Sequence, residues 1–176
     1  MSWGNEFVEL DKSIHDRMSF DCGEKELNLF LQSQAARHMK AGISKTMLLP
    51  DTDLIAGKHP VCAFYTIAPS SIKRADLPEK MAKKLPHYPI PVFLLAQLAV
   101  HSEHQGKGLG KITLIKALDY FWGVQSAMPA YAVIVDCLNV EAENFYKKYG
   151  FNILCYQNEK AKMFIPMKKI ELLFSK

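Results

Sequence analysis

The sequence predicts a mixed-sheet α/β domain, and three observations carry that expectation. Strand-like runs and one amphipathic helix fill the N-terminal part. After Pro91, strands and helices alternate. Between the apolar run PVFLLAQLAV and the next helical pattern lies the turn QGKGLG, residues Gln105 to Gly110, with three glycines that no regular element would favour. At 176 residues the chain is expected to form a single domain, 1–176, large enough for its own core.

Glu6 to Leu10 reads as a short first strand. Leu27, Leu31, Ala35 and Met39 then recur every four residues beside Phe30, which predicts a helix with Asp21 as N-cap and Gly42 as its stop. Ser44 to Leu49 and Val61 to Ile67 read as strands joined through a turn over Pro50 to Pro60. Pro69 to Pro91, with its lysine-rich piece LPEKMAKKLPHYP, reads as a surface connection containing about two helical turns. Next come the strand ending at Val100 and the glycine turn. A helix follows, with Ile112, Ile115, Leu118 and Trp122 on its inner face. Tyr131 to Cys137 is a second buried strand. Ala142, Phe145, Tyr146 and Tyr149 mark one face of a short helix that Gly150 ends from the C′ position. Phe151 onward and Lys162 to Phe174 are expected as two closing strands.

Composition sets the class. Apolar residues make up 49% and charged residues 23%, as in an ordinary globular protein. The acidic and basic residues from Glu6 to Arg17 argue against a signal peptide or membrane anchor at the start. The Pro91 to Val100 run is too short to span a bilayer. The expected location is the cytoplasm. Cys22, Cys62, Cys137 and Cys155 show no metal-ligand spacing, so no metal is expected. Cys62 and Cys137 read as small buried thiols. The net charge of +4 is compatible with a polyanionic partner.

A glycine-rich turn at a helix start directs backbone N–H groups at one point. They have no intrahelical acceptor, and the helix dipole adds positive charge. A pyrophosphate answers both, with Lys107 and Lys111 beside it. The P-loop pattern G-x-x-x-x-G-K-[ST] is absent, and the dinucleotide pattern G-x-G-x-x-G does not fit these spacings. The turn does match Q-x-x-G-x-G at Gln105, Gly108 and Gly110.

With this loop, the strand before it and the segment LNVEAENFYKKYGF at 138–151, the chain resembles the GNAT superfamily of acetyl-CoA-dependent N-acetyltransferases. The resemblance implies the GNAT fold, a central mixed six- to seven-stranded sheet flanked by about four helices. It implies that Gln105, Gly106, Lys107, Gly108, Leu109, Gly110 and Lys111 hold the CoA pyrophosphate. The backbone of Leu98, Ala99 and Val100 would pair with the pantetheine arm, with Asn139 and Phe145 completing the cofactor set. Tyr146, in the F-Y-x-x-x-G-F pattern, is then the expected general acid that protonates the departing thiolate. Backbone N–H groups near Val100 would polarise the thioester carbonyl. For Tyr146 the alternative is a core aromatic that touches Phe151 across the helix cap.

No Asp or Glu stands out as a buried base, and His101 and Glu103 are polar loop residues that would at most relay a proton. That suits an α-amine, whose reference pKa of about 7.7–8.0 leaves a neutral fraction that a lysine at about 10.4 lacks. The segments 20–46, 63–72 and 89–101 further resemble the branch of toxins paired with ribbon-helix-helix antitoxins. In that branch the acceptor is the α-amine of aminoacyl-tRNA, acetylation stops translation, and a homodimer is expected. Arg37, Lys40, Lys45, Lys73, Arg74, Lys83 and Lys84 are candidates for an RNA surface, or simply solvated charges. The branch commonly has Arg and Asp where this chain has Gln97 and His101. Two other functions stay open: acetylation of a small amine or peptide N-terminus, and a non-catalytic CoA-binding module.

Overall fold

A computed structural model describes residues 2–174. The chain divides into two compact units, Met1–Ala68 with Ala96–Ala117, and Pro69–Leu95 with Leu118–Lys176.

In the first unit, β1 (Val8–Glu9) pairs antiparallel with β3 (Lys45–Pro50), which pairs antiparallel with β4 (His59–Ile72). The two-residue β2 (His15–Asp16) lies parallel to the start of β4. The Met47↔Tyr65 and Leu48↔Phe64 register puts Leu48 and Phe64 into a core with Phe20, Phe30, Leu31 and Ala99. Phe30 and Leu31 lie on a π-helical turn, Phe30–Gln34, that joins α1 (Lys25–Leu29) to α2 (Ala35–Lys40).

The helix stops where expected. The Gly42 N–H donates to Met39 O and the Ile43 N–H to His38 O, and Gly42 takes a φ of +76°, which makes a Schellman cap. Its start differs from expectation. Asp21 is not the N-cap, because its carboxylate accepts from the Gly23 N–H and the Asn28 side-chain amide in a tight turn ahead of the helix. Glu24 occupies the cap position without a side-chain cap bond.

In the second unit, the first half of β5 (Ile90–Val100) pairs parallel with β6 (Ala132–Asp136). On its other side β6 pairs antiparallel with β8 (Lys160–Pro166), which pairs antiparallel with β7 (Asn152–Gln157). This is the mixed pairing the sequence predicted. The β6 run is buried on both faces, as its continuous apolar pattern requires. The connection before β5 holds a 3₁₀ turn at Arg74–Asp76 and α3 (Glu79–Ala82), both pinned by Arg74, whose Nε donates to Ala82 O and Leu85 O.

Six of the eight strands described are longer than two residues, in line with the six to seven expected. Two further local expectations fail. Residues 167–174 are not strand but helix α6 (Met167–Phe174), which buries Met167 and Ile170 at helical spacing and leaves Leu172 and Leu173 exposed. The strand pattern ends at Pro166, and MKKIELLF carries a 3.6-residue period that its lysines obscure. In α4 (Leu109–Gln125), Ile112 and Ile115 are each 41% exposed, and the buried face is Leu109, Thr113, Leu114, Ala117, Leu118 and Phe121. The helix is apolar nearly all round, so periodicity alone could not choose its face.

Candidate active site

The first unit carries the candidate cofactor loop. Strand β5 ends at Val100, and the His101 N–H then donates to Cys62 O. A 3₁₀ turn at Ser102–His104 follows, capped by His101, whose Nδ1 accepts from the Glu103 N–H at 3.1 Å. An imidazole nitrogen thus serves as the cap acceptor, a task that the Asp expected from the resemblance could also perform. The bond gives His101 a structural task.

Gln105 is held by its own side chain. Nε2 donates to both Cys22 O and Val100 O at 2.9 Å, tying the loop to the strand end and to the segment before α1. Gly106 and Gly108 then take φ of +76° and +81°, left-handed backbone that disfavours other residues. A Cβ built at either would meet nothing within 4 Å, so within the chain these glycines serve conformation and leave space beside the backbone. Lys107 is exposed. Leu109 is buried with Leu49, Cys62, Ala63 and Val100, which anchors the first turn of α4, and Gly110 and Lys111 lie inside that turn. Gln105 to Lys111, with Leu98, Ala99 and Val100 preceding them, thus form one continuous strand–turn–helix segment. Gln97, also on β5, has a side-chain carbonyl that is buried without a hydrogen-bond partner among the described residues.

The second unit carries the candidate acid. Helix α5 (Val140–Lys148) is capped by Asn139, whose Oδ1 accepts from the Ala142 N–H at 2.9 Å. At the other end, Gly150 N–H donates to Lys147 O and Phe151 N–H to Tyr146 O, with Gly150 at φ +94°. This is again a Schellman cap, with Tyr146 at C3 and Phe151 at C″, and their rings lie 5.2 Å apart. The F-Y-x-x-x-G-F pattern therefore has a backbone reason: the glycine closes the helix and the two aromatics form its apolar clasp. Phe145 packs against both Tyr146 and Tyr149. Tyr146 is 8% exposed, and burial, with Cys137 nearby, pushes its phenol well above its ordinary value. The group stays protonated throughout the neutral range.

Among the RNA-surface candidates, Arg37 donates to Ser33 O, Lys45 pairs with Glu9 at 3.7 Å, and Arg74 is engaged as described. Lys73 and Arg74 line a cleft of about 330 Å³ with His87 and Tyr88. Sequence reasoning missed His104, which is 1% exposed below the glycine turn and edge-on to Trp3 at 5.1 Å. No motif marks it, because its neighbours come from distant segments. No helix of the described residues is long and apolar enough to cross a membrane.

Residues 76–153 match the family model described as an acetyltransferase (GNAT) domain. A tRNA-acetylating toxin of Mycobacterium tuberculosis (strain ATCC 25618 / H37Rv) is 32% identical over 139 residues, covering 78% of this chain and 79% of that protein. Among solved structures, AtaT complexed with acetyl-methionyl-tRNAfMet superposes with a TM-score of 0.86 at 34% identity, covering 99% of this chain and 100% of that one. A tyrosine-to-phenylalanine mutant of the AtaT toxin, bound to the C-terminus of the antitoxin AtaR and acetyl-CoA, gives 0.81 at 30% identity, over 97% of this chain and 98% of that one.

Proposed function

This chain belongs to the GNAT acetyltransferase family, and we propose that it is a toxin that acetylates the α-amine of aminoacyl-tRNA and so blocks translation. The observation that carries the donor half is the turn at 105–110, a left-handed glycine backbone left open on one side where α4 begins. In this reading the N–H groups of that turn and the first residues of α4 hold the pyrophosphate of acetyl-CoA, with Lys107 and Lys111 adding charge. The backbone of Leu98 to Val100 guides the pantetheine arm. The His101 N–H is committed to Cys62 O, and in this reading other backbone N–H groups near Val100 polarise the thioester carbonyl.

The neutral amine attacks the acetyl carbon, the new N–C bond forms, and the C–S bond breaks. Tyr146 delivers its phenolic proton to the departing sulfur, the amine's surplus proton leaves to solvent, and the phenolate regains a proton from solvent before the next turnover. A phenol held protonated by burial is suited to that step. Asn139 and Phe145 support it through the cap and the ring packing of α5.

The acceptor half rests on the relatives, which include a tRNA-acetylating toxin and a toxin bound to an acetylated aminoacyl-tRNA. Exposed cations such as Lys73, beside Tyr88, would supply phosphate contacts and a stacking face for the nucleic acid. A ribbon-helix-helix antitoxin, a homodimer and a cytoplasmic location complete the proposal. The family match spans segments of both compact units, which supports treating 1–176 as one acetyltransferase domain.

The test is incubation with labelled acetyl-CoA and charged tRNA, followed by identification of the acetylated aminoacyl species. Label on the aminoacyl group is the expected result. Label on free amines but not on charged tRNA overturns the toxin reading in favour of a small-amine enzyme. Binding of acetyl-CoA without transfer to any amine favours the non-catalytic module.

A further inference from the structure

Asp51, Cys62 and His104 stand far apart in sequence, just after β3, inside β4 and in the turn after β5. All three lie in the first unit. Their ligand-type atoms, a carboxylate oxygen, a thiol sulfur and an imidazole nitrogen, sit within 4.8 Å of one another, and each residue is 1% exposed. Asp51 is fixed at its backbone, its N–H donating to Pro60 O and its carbonyl meeting the His59 Nδ1. Its carboxylate holds the Asp53 N–H at 2.9 Å. The second carboxylate oxygen and both ring nitrogens of His104 are buried with no hydrogen-bond partner among the described residues. A folded chain rarely leaves three adjacent polar atoms buried in this way, because each has given up water for nothing.

From this geometry we infer a divalent-metal site of the zinc class formed by Asp51, Cys62 and His104. The donor set is oxygen, sulfur and nitrogen, the mix that borderline-soft Zn²⁺ selects over Mg²⁺ or Ca²⁺. Three protein ligands leave zinc's fourth tetrahedral position to water. Bond lengths of about 2.0–2.3 Å require the ligand atoms to be roughly 3.3–3.8 Å apart, so the closing movement is about an ångström, within reach of side-chain rotation. Charge also balances: a carboxylate and a thiolate neutralise the dication, and the imidazole adds none.

Without the ion, burial and then the Asp51 charge push the Cys62 thiol up to about 12. The metal would take the thiolate and release that proton to solvent. Burial, followed by the charges of His101 and Lys107, lowers the His104 imidazole, leaving a neutral ring with a lone pair to give. The bound ion would fasten the turn that precedes Gln105 to β3 and β4.

The test uses the full-length protein stripped with a chelator and titrated with Co²⁺. One equivalent per chain is expected to produce a thiolate-to-cobalt charge-transfer band and visible d–d bands of tetrahedral intensity, both removed by Zn²⁺. Cys62→Ala is expected to abolish the charge-transfer band. His104→Phe, which keeps an aromatic ring in the core, is expected to weaken Co²⁺ binding by at least about 10-fold. Cys22→Ser and Cys155→Ser are expected to leave the spectrum intact. Zn²⁺ is also expected to raise the Tm of the wild type and not that of His104→Phe. A correctly folded wild type that gives no charge-transfer band overturns the site, as does a band that survives Cys62→Ala. If His104→Phe is more stable than the wild type and Zn²⁺ leaves both melting temperatures unchanged, these residues are only unpaired core groups and the proposal fails. None of these readouts depends on acetyl transfer.

Discussion

Gly108 and Gly150 both hold left-handed backbone, with φ of +81° and +94°, but their surroundings differ. A Cβ at 108 would meet nothing within 4 Å, whereas one at 150 would touch Ile165 Cδ1 at 3.8 Å. Around Gly150 the chain satisfies itself: two backbone bonds and an aromatic clasp close the end of α5. Around Gly108, just before α4, the described residues leave the space beside the backbone open. One glycine finishes a piece of structure; the other leaves open space beside the backbone. The same contrast separates Tyr146, enclosed and held by neighbours, from Lys107, exposed beside the loop.

The largest effect is expected from changing the enclosed region at its one chemical atom. Tyr146→Phe keeps the ring contacts with Phe145 and Phe151 and removes only the hydroxyl. If Tyr146 is the general acid, kcat for acetyl transfer falls by about 10²–10⁴-fold, while acetyl-CoA affinity by calorimetry and the Tm stay near wild type. Full turnover in the variant would reduce Tyr146 to a packing residue. The pH profile gives an independent check. Because burial raises the phenol's pKa, the acid form persists above the pH near 10 where an ordinary tyrosine ionises. No alkaline loss of kcat is therefore expected below that pH.

The two glycines test the comparison directly. An alanine in the left-handed region costs roughly 1–2 kcal/mol at either position. At Gly150 the whole cost is expected as stability, a fall in Tm of about 2–8 °C with acetyl-CoA affinity unchanged in the folded protein. At Gly108 a similar strain is expected together with a rise of more than about 10-fold in the acetyl-CoA Kd, because the methyl group occupies the space the pyrophosphate needs. Equal loss of affinity in both variants would erase the distinction between them.

Asn139 sharpens the boundary between building and binding. Its side chain caps α5, and Asn139→Ala is expected to cost about 1 kcal/mol of stability by denaturant titration. Asn139→Asp restores a capping acceptor. If it recovers both stability and acetyl-CoA affinity, the asparagine acts through the helix. Affinity that stays low despite recovered stability marks a direct contact with the cofactor.

What the sequence made legible follows from the same division. Turns and caps are written locally, so Gly42, Gly150 and the loop at 105–110 were readable from residue type and spacing. The strand β6 was readable because both its faces are buried. The face of α4 was not, since Ile112 and Ile115 are as apolar as the Leu114 and Leu118 that tertiary packing selects. The Asp21 carboxylate was drawn into a turn by Asn28, a competitor for the cap that spacing does not rank. His104 lay beyond reach altogether, because Asp51 and Cys62 meet it only through the pairing of distant segments. Function is expected to follow the same rule: the proposed donor loop is local, and the proposed acceptor leaves no comparable mark in the chain.

The smallest expected effect falls on Gln105, where the two kinds of region meet. Its pattern position suggests a cofactor ligand, yet its amide nitrogen is spent on Cys22 O and Val100 O. The residue therefore belongs with Gly150 in purpose, although it sits beside Gly108. Gln105→Ala removes two bonds from an exposed side chain and is expected to lower stability by about 1 kcal/mol or less. Because the loop is then less well fixed before the cofactor arrives, KM for acetyl-CoA is expected to rise by about 3–10-fold with kcat unchanged. Gln105→Glu tells ordering from contact: the carboxylate cannot donate to either carbonyl and adds a negative charge near the pyrophosphate. If the glutamate variant loses no more affinity than alanine, the side chain acts on the loop alone. A much larger loss places the side chain close enough to feel the phosphates.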